Sequence, residues 1–342
     1  MKVTLDDIAR MANVSKATVS RVLNQSDKGV GEETRKRVQQ VIDELEYRPS
    51  LLARGISISK TKTIGVIIPD ITNPFFSEIS QKIAAYAAKK KYTVLFCTTD
   101  DSAEKEEQCI SVMITKHVDG VILASVMPDQ TQTHFRFQKY GIPCVFIDRK
   151  IPQMEQSGGV YVDNEYAFFM ATEYLIRNQN RRIAFLSGPI LVSTSKERIE
   201  GYRYALKAHG IPIDPQLMIV GNHSIETGYH AILEMNQKLV PFSAVLASSD
   251  IIAMGAIKAL KQLGVKIPQE VEVIGFDNIE FAELIDPPLT TMEQPIDELA
   301  HRAVVMLMQL IQNIPLKEQN IRLESRLIYR KTTKNQSKMT IN

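Results

Sequence analysis

The 342-residue sequence predicts two architectures in series: an N-terminal all-α helix-turn-helix module and a larger two-lobed α/β body. Three observations carry this. The first 48 residues hold three short stretches with apolar positions at helical spacing, separated by tight connections. From Thr63 the pattern changes to short apolar runs alternating with helical stretches. The charge divides at the same place. Residues 1–62 hold 12 Lys+Arg against 8 Asp+Glu, and the remainder holds 29 against 31. A basic module on a near-neutral body is the electrostatic layout of a nucleic-acid binder, although a small solvated basic domain has the same layout.

In the first stretch, Thr4 precedes Leu5, Ile8, Ala9 and Ala12, and Asp7 stands three residues after Thr4. This is a capping box with aspartate in the glutamate position, opening a helix over about 5–12. Asn13-Val14 reads as a tight turn. Ser15 caps a second helix over about 16–23, in which Val19, Val22 and Leu23 share one face. Its other face, Lys16, Ala17, Ser20 and Arg21, is short or basic. A third helix follows over about 32–45, with Gly31 as N-cap and Val38, Val41, Ile42 and Leu45 inward. In the helix-turn-helix plan the second helix enters the major groove by its N-terminal residues. Serine and threonine hydroxyls then reach phosphates, and Arg21 can fork onto a guanine edge.

The stretches "TLDDIARMANVSKATVSRVLN" and "TRKRVQQVIDELEYRPSLLARGI" are similar to the lactose/galactose-repressor (LacI/GalR) family of bacterial transcription regulators. The resemblance runs over nearly the whole chain. It implies a DNA-binding surface of Thr4, Ser15, Lys16, Ala17, Thr18, Ser20, Arg21 and Asn24, with Tyr47 on the backbone. Residues 1–48 are then the helix-turn-helix domain and 49–62 a hinge helix that folds on DNA. Ala53 belongs to the DNA contact there, and Ile56 holds the position of an apolar wedge in the minor groove. Two reading heads for a pseudo-palindromic double-stranded DNA operator imply a homodimer.

The body reads strand by strand as "TIGVIIPD" (63–70), "YTVLFCTTD" (92–100), "VDGVILAS" (118–125), "IPCVFIDR" (142–149), "GGVYVDN" (158–164), "RIAFLSGP" (182–189), "AVLASSD" (244–250) and "VEVIGFDN" (271–278). Alternation with helices means parallel sheets with right-handed crossovers, and about 280 residues suggest two lobes. Residues 321–330 read as one late strand. Ligands of such sheets bind beyond the carboxyl ends of the strands. Asp70, Ser125, Asp148-Arg149, Ser187, Ser249-Asp250 and Asp277-Asn278 cluster there. No GxGxxG, GxxxxGK[ST], HExxH, GxSxG or Cys/His metal spacing occurs. Nothing positive therefore supports an enzyme, a cofactor or a metal.

The same family carries a periplasmic-binding-protein-like effector core, which closes on a small ligand by hinge motion. The resemblance puts lobe 1 at about 63–162 and 291–322, and lobe 2 at about 163–290 and 323–332. It implies an effector site of Asn73, Phe75, Asp148, Arg149, Tyr161, Arg198, His223, Ser249, Asp250 and Asp277. Carboxylates accept from paired hydroxyls, while two arginines and a histidine suit an anion. A sugar acid is thus favoured over a neutral sugar. Asp119 and Asp250 have a plainer reading as helix caps or orienters of strand ends, and Phe76 as core.

Cys97, Cys109 and Cys144 form no pair at metal or disulfide-framework spacing, which fits buried thiols in a reducing compartment. The polar N-terminus predicts no signal peptide, and no apolar run reaches bilayer-spanning length. The tail, 331–342, has no leucine heptad for a tetramerising coiled coil. The whole reads as a cytoplasmic repressor of carbohydrate-catabolism genes, controlled by a small sugar or sugar-acid effector. The alternative within the family is a global carbon regulator controlled by a phosphorylated carrier protein. An enzyme or transport receptor with a vestigial helix-turn-helix is the alternative from another class.

Overall fold

A computed structural model describes residues 4–23, 29–45, 60–125, 130–148 and 157–334. The chain forms two compact units, 1–61 and 62–342.

In the first unit, α1 (Leu5–Met11) opens on the predicted capping box: Thr4 accepts from the Asp7 N–H, and the Asp7 carboxylate accepts from the Thr4 N–H. It ends in a left-handed residue, Asn13 (φ 50°). The N–H of Val14 reaches the Ala9 carbonyl at 2.9 Å and that of Asn13 reaches Arg10 at 3.2 Å, the two bonds of a Schellman turn. That turn aims α2 (Lys16–Leu23) across α1, and α3 (Glu32–Glu44) closes the module. Ile8, Ala12, Val19, Val22, Val38 and Ile42 make its core.

The second unit holds two six-stranded sheets. The first is built from β1 (Thr63–Ile68), β2 (Thr93–Thr98), β3 (Gly120–Leu123), β4 (Cys144–Ile147), β5 (Ser157–Val162) and β11 (Asn320–Leu323), in the order β2-β1-β3-β4-β5-β11. Helices α4 (Pro74–Lys89), α5 (Ala103–Thr115) and α6 (Gln130–Lys139) belong to this lobe. The second sheet contains β6 (Ile183–Ser187), β7 (Met218–Val220), β8 (Ala244–Ala247), β9 (Glu272–Asp277), β10 (Thr290–Glu293) and β12 (Arg326–Ile328), in the order β7-β6-β8-β9-β10-β12. Its helices are α7 (Asn164–Arg177), α8 (Ser193–Ala208), α9 (Ile225–Gln237), α10 (Asp250–Gln262) and the short α11 (Phe281–Leu284). Helix α12 (Ile296–Ile311) returns to pack on α4 and on β3–β5.

Central strands β3, β4, β6, β8 and β9 are buried on both faces, as parallel strands covered by helices must be. Each lobe reverses its winding direction once, at β1/β3 and at β6/β8. A ligand crevice is expected beyond the carboxyl ends of strands at such switch points.

The chain passes between the lobes at 162–164, 293–296 and 323–326. Two expectations are corrected here. The resemblance implies a return to lobe 1 at about 290/291, but Thr290–Glu293 pairs in parallel with β9 and stays in the second sheet. The late strand read over 321–330 is two strands in different lobes: β11 pairs with β5, and β12 runs antiparallel to β10. Leu323 therefore belongs to lobe 1, not lobe 2. Apolar alternation continues through both strands, so it does not reveal the change of partner. No helix among the described residues is long and apolar enough to cross a membrane. Cys97, Cys109 and Cys144 are all unbridged, and burial pushes the thiols of Cys109 and Cys144 up to about 12.

Candidate functional site

Two surfaces carry the expected residues. On the module, Val19 and Val22 turn α2 inward, leaving Lys16, Ala17 and Arg21 exposed and Thr18 and Ser20 half-buried. The Ser15 hydroxyl accepts from the Thr18 N–H at 3.2 Å and lies 2.9 Å from the Thr18 hydroxyl. Lys16 reaches Asp6 at 2.8 Å. Thr4 is exposed, but its hydroxyl donates to Asp7 at 2.6 Å within the capping box. A short-side-chained helix face with one forked cation near its end is shaped for a groove of base edges. Asn24, Tyr47, Ala53, Ile56 and most of the expected hinge helix lie outside the described residues.

The second surface is a cleft of about 410 Å³ at the strand ends of the body. From lobe 1, Asn73 caps α4: its Oδ1 accepts from the Phe75 N–H at 3.1 Å, and Pro74 fills the first helical position. That cap places Phe75 and Phe76, packed edge to face at 5.0 Å, as an apolar wall. Phe76 also packs on the core, in keeping with its plainer reading. Asp148 follows β4 with φ 68°, and Asp100 and Asp101 follow β2 with φ 47° and 53°. These are left-handed backbones, which aspartate tolerates better than most residues.

From lobe 2 come Arg198, His223, Ser249 and Asp277. Arg198 is buried. Its Nε donates to Asn164 Oδ1 at 2.9 Å, an Nη donates to the Ser248 carbonyl at 2.7 Å, and its plane lies 4.2 Å from the Phe276 ring centre. Asp277 is 4% exposed with φ 115°, a strained backbone for a residue with a side chain. Burial pushes its carboxyl up to about 7; the Arg198 guanidinium and the Gln294 amide pull the other way, and Asp148 adds to the rise. Gln294 Nε2 donates to Asp277 Oδ1 at 2.7 Å. Ser249 lines the cleft while capping α10. The His223 ring sits on Gly188, where a Cβ would meet the ring at 2.3 Å, so only glycine leaves it room.

Two expected effector residues do not line the cleft. Asp250 is wholly buried beneath it. Its carboxylate accepts from the Ile279 N–H at 2.9 Å and the Thr291 hydroxyl at 2.6 Å, fastening the loop after β9 to β10. That is the plainer reading, an orienter of strand ends. Asp119 acts similarly, accepting from the Lys62 N–H at 3.0 Å. Tyr161 is buried on β5, facing away from the core side of Val160 and Val162, among Arg322, Glu197 and Asp163. Arg149 lies outside the described residues.

The cleft also holds groups that the sequence reading does not single out: Asp100, Asp101, Thr194, Asn222 and Gln294. The rule of polar residues at strand ends reaches Asp100-Asp101 and, once β10 is recognised, Gln294. Counted together, the described lining carries five aspartates against one arginine and one histidine. No group of three or more His, Cys, Asp or Glu among the described residues is arranged to hold a metal ion.

The profile of periplasmic binding proteins and the sugar binding domain of the LacI family matches residues 61–334. That of bacterial regulatory proteins, lacI family, matches residues 4–50. The HTH-type transcriptional repressor CytR of Escherichia coli (strain K12) is 35% identical over 332 residues, covering 97% of this chain and 96% of CytR. The solved structure of the lac repressor dimer bound to operator and the anti-inducer ONPF matches with a TM-score of 0.85 at 25% identity, over 97% of this chain and 99% of that one. The transcriptional regulator CelR–cellobiose complex matches with a TM-score of 0.73 at 28% identity, over 96% and 99%. Profiles and relatives span the module and the body in the order the fold presents them. The chain belongs to the LacI family of bacterial regulatory proteins and is a DNA-binding transcription regulator.

Proposed function

We propose that this protein is a homodimeric repressor of carbohydrate-utilisation genes. In this reading its operator affinity is set by a neutral, hydroxyl-rich small molecule, a sugar or a sugar-bearing compound, held in the body's cleft. The acceptor-rich lining supports this most strongly. Among the described lining residues the acidic side chains outnumber the basic ones, five aspartates against Arg198 and His223, and carboxylate oxygens can accept from several donors at once, which suits a ligand that donates hydrogen bonds. This reading puts a neutral ligand ahead of the sugar acid that Arg149, Arg198 and His223 together would suit. Phe75 and Phe76 supply an apolar wall against which the C–H face of a sugar ring can pack. The cellobiose held by CelR is an uncharged ligand of this kind. Asp148 and Asp277 are the proposed hydroxyl acceptors, with Asn73, His223 and Ser249 beside them.

On the DNA side, Ser15, Thr18 and Ser20 are the proposed phosphate contacts and Arg21 the base reader. Arg21→Ala should then cost about 1–3 kcal/mol at one base position of a selected operator and relax specificity there. An equal loss on all sequences would remove the base-reading role. For the cleft, the test is a thermal-shift panel of neutral sugars, nucleosides, sugar acids and sugar phosphates on the full-length chain. A neutral member at 100 times its Kd adds about 2.7 kcal/mol of stability. Stabilisation by the acidic members alone would reverse the assignment.

A further inference from the structure

Two buried, charge-bearing ligand-facing groups of lobe 2, Arg198 and Asp277, are each tied to a segment where the chain changes lobe. Arg198 is 4% exposed and donates to Asn164 Oδ1. Asn164 is the first residue of lobe 2 after the passage at 162–164, and its Nδ2 lies 3.3 Å from the Val162 carbonyl, on the lobe 1 side. Asp277 accepts from the side chain of Gln294, which stands in the passage at 293–296. The Gln294 N–H also points at the Asp277 carbonyl, at 3.4 Å, and its own carbonyl accepts from the Ile296 N–H at 2.8 Å, where α12 of lobe 1 begins. Gln294 is 3% exposed and lines the cleft, yet its Oε1 has no hydrogen-bond partner among the described residues. The side chain thus keeps its amide on Asp277 while a buried oxygen goes unsatisfied, an arrangement that calls for an explanation.

We propose that Asn164 and Gln294 are positioning residues that tether Arg198 and Asp277 to the connections between the lobes, so that a change at either ligand-facing group is felt at its connection. The proposal rests on the reading of the cleft as the effector site. The wider network fits it. Next to Asp277, Asn278 donates to Glu293 at 2.9 Å, and Glu293 also pairs with Arg326, just past the third passage. The Asp163 N–H reaches the Leu323 carbonyl at 3.1 Å and its carboxylate pairs with Arg322 at 3.1 Å, joining the first passage to the third. These bonds make two clusters, one from Arg198 through Asn164 to Asp163 and Leu323 and one from Asp277 through Gln294 and Glu293 to Arg326, and both end on the third connection.

The test is a double-mutant cycle in the full-length chain without any effector, read by hydrogen exchange at fixed pH. Asp277→Ala should lower protection in peptides covering 290–300 by roughly ten-fold, whereas in a Gln294→Met background the same change should add nothing. Equal losses in both backgrounds would overturn the proposal. Gln294→Glu gives an independent readout. A glutamic acid can donate to Asp277 only when protonated, so protection of 290–300 should fall as pH rises in this variant by more than in wild type. A parallel fall in the two proteins would also overturn it. The second cycle pairs Asn164→Ala with Arg198→Lys and reads peptides covering 158–168, with the same expectations. Because no effector is present, additive cycles remove the tethers and leave the ligand reading standing. A ligand panel with no hit does the reverse.

Discussion

The two lobes share one strand order, yet they present their cleft groups in different ways. Lobe 1 offers loop residues held by short-range bonds. Asp70 accepts from Thr72 two residues on, Asn73 from Phe75, and Asp100 pairs with Lys105 in the next helix. Lobe 2 also has locally bonded cleft residues, Ser249 with Ile252 and Asn222 with Thr227, but adds buried charged groups bonded across the sequence: Arg198 to Asn164 and Ser248, Asp277 to Gln294, and Asp250 beneath them to Thr291. Local bonds leave a loop free to be replaced, because few distant groups depend on it. Long-range bonds make each group part of the fold. In this account lobe 2 fixes the orientation of the ligand and reports its presence, and lobe 1 sets which ligand fits.

The sharpest way to break the comparison is to weigh one residue from each side. Arg198→Ala strands the Asn164 and Ser248 oxygens in the interior and should cost on the order of 3 kcal/mol in urea unfolding. Asn73→Ala removes a helix cap and should cost about 1 kcal/mol. Similar costs would erase the distinction between lobes.

A second test uses pH. The folded-state carboxyl of Asp277 lies near 7, above its ordinary value of 3.8. The native state therefore holds a proton that the unfolded chain releases. The associated stability is complete below pH about 4 and is lost as pH rises through about 7. Asp250, also raised by burial and by Asp277, contributes with the same sign. Asp277→Asn should flatten this fall; an unchanged slope would show that Asp277 is not its source.

The smallest effect on stability is expected at the lobe 1 rim. Asp100→Asn and Asp101→Asn should stay within about 0.5 kcal/mol of wild type while changing the ranking of ligands in the panel. An unaltered ranking would take these two residues out of ligand selection.

Much of this was legible beforehand, and the exceptions share a cause. The module was readable because its signals are local: a capping box, a left-handed asparagine and valines three residues apart. The central strands were readable because burial on both faces leaves continuous apolar runs. Strand β10 was not, since "TTME" is polar: its threonines bond to Asp250 and Thr333, partners far away in sequence. Without β10, Gln294 looked like an ordinary residue ahead of a helix. The resemblance and its place after β8 both point Asp250 at the cleft. Its side chain turns instead toward the loop after β9, a direction that depends on tertiary packing. The resemblance puts Tyr161 in the cleft, and strand alternation cannot check this, since it reveals two faces but not which one looks into the cleft. The long-range bonds of lobe 2 are likewise invisible in sequence, because Arg198 and Asp277 find their partners 34 and 17 residues away.

The most direct test is the affinity of the full-length chain for a selected operator, with and without each member of the neutral-sugar panel, in wild type and Asp277→Ala. The account predicts that one neutral member changes wild-type affinity by about 5- to 150-fold. Asp277→Ala should bind the operator as wild type does without ligand and lose that response. A full response retained in Asp277→Ala, or a response confined to anionic members, would contradict the account.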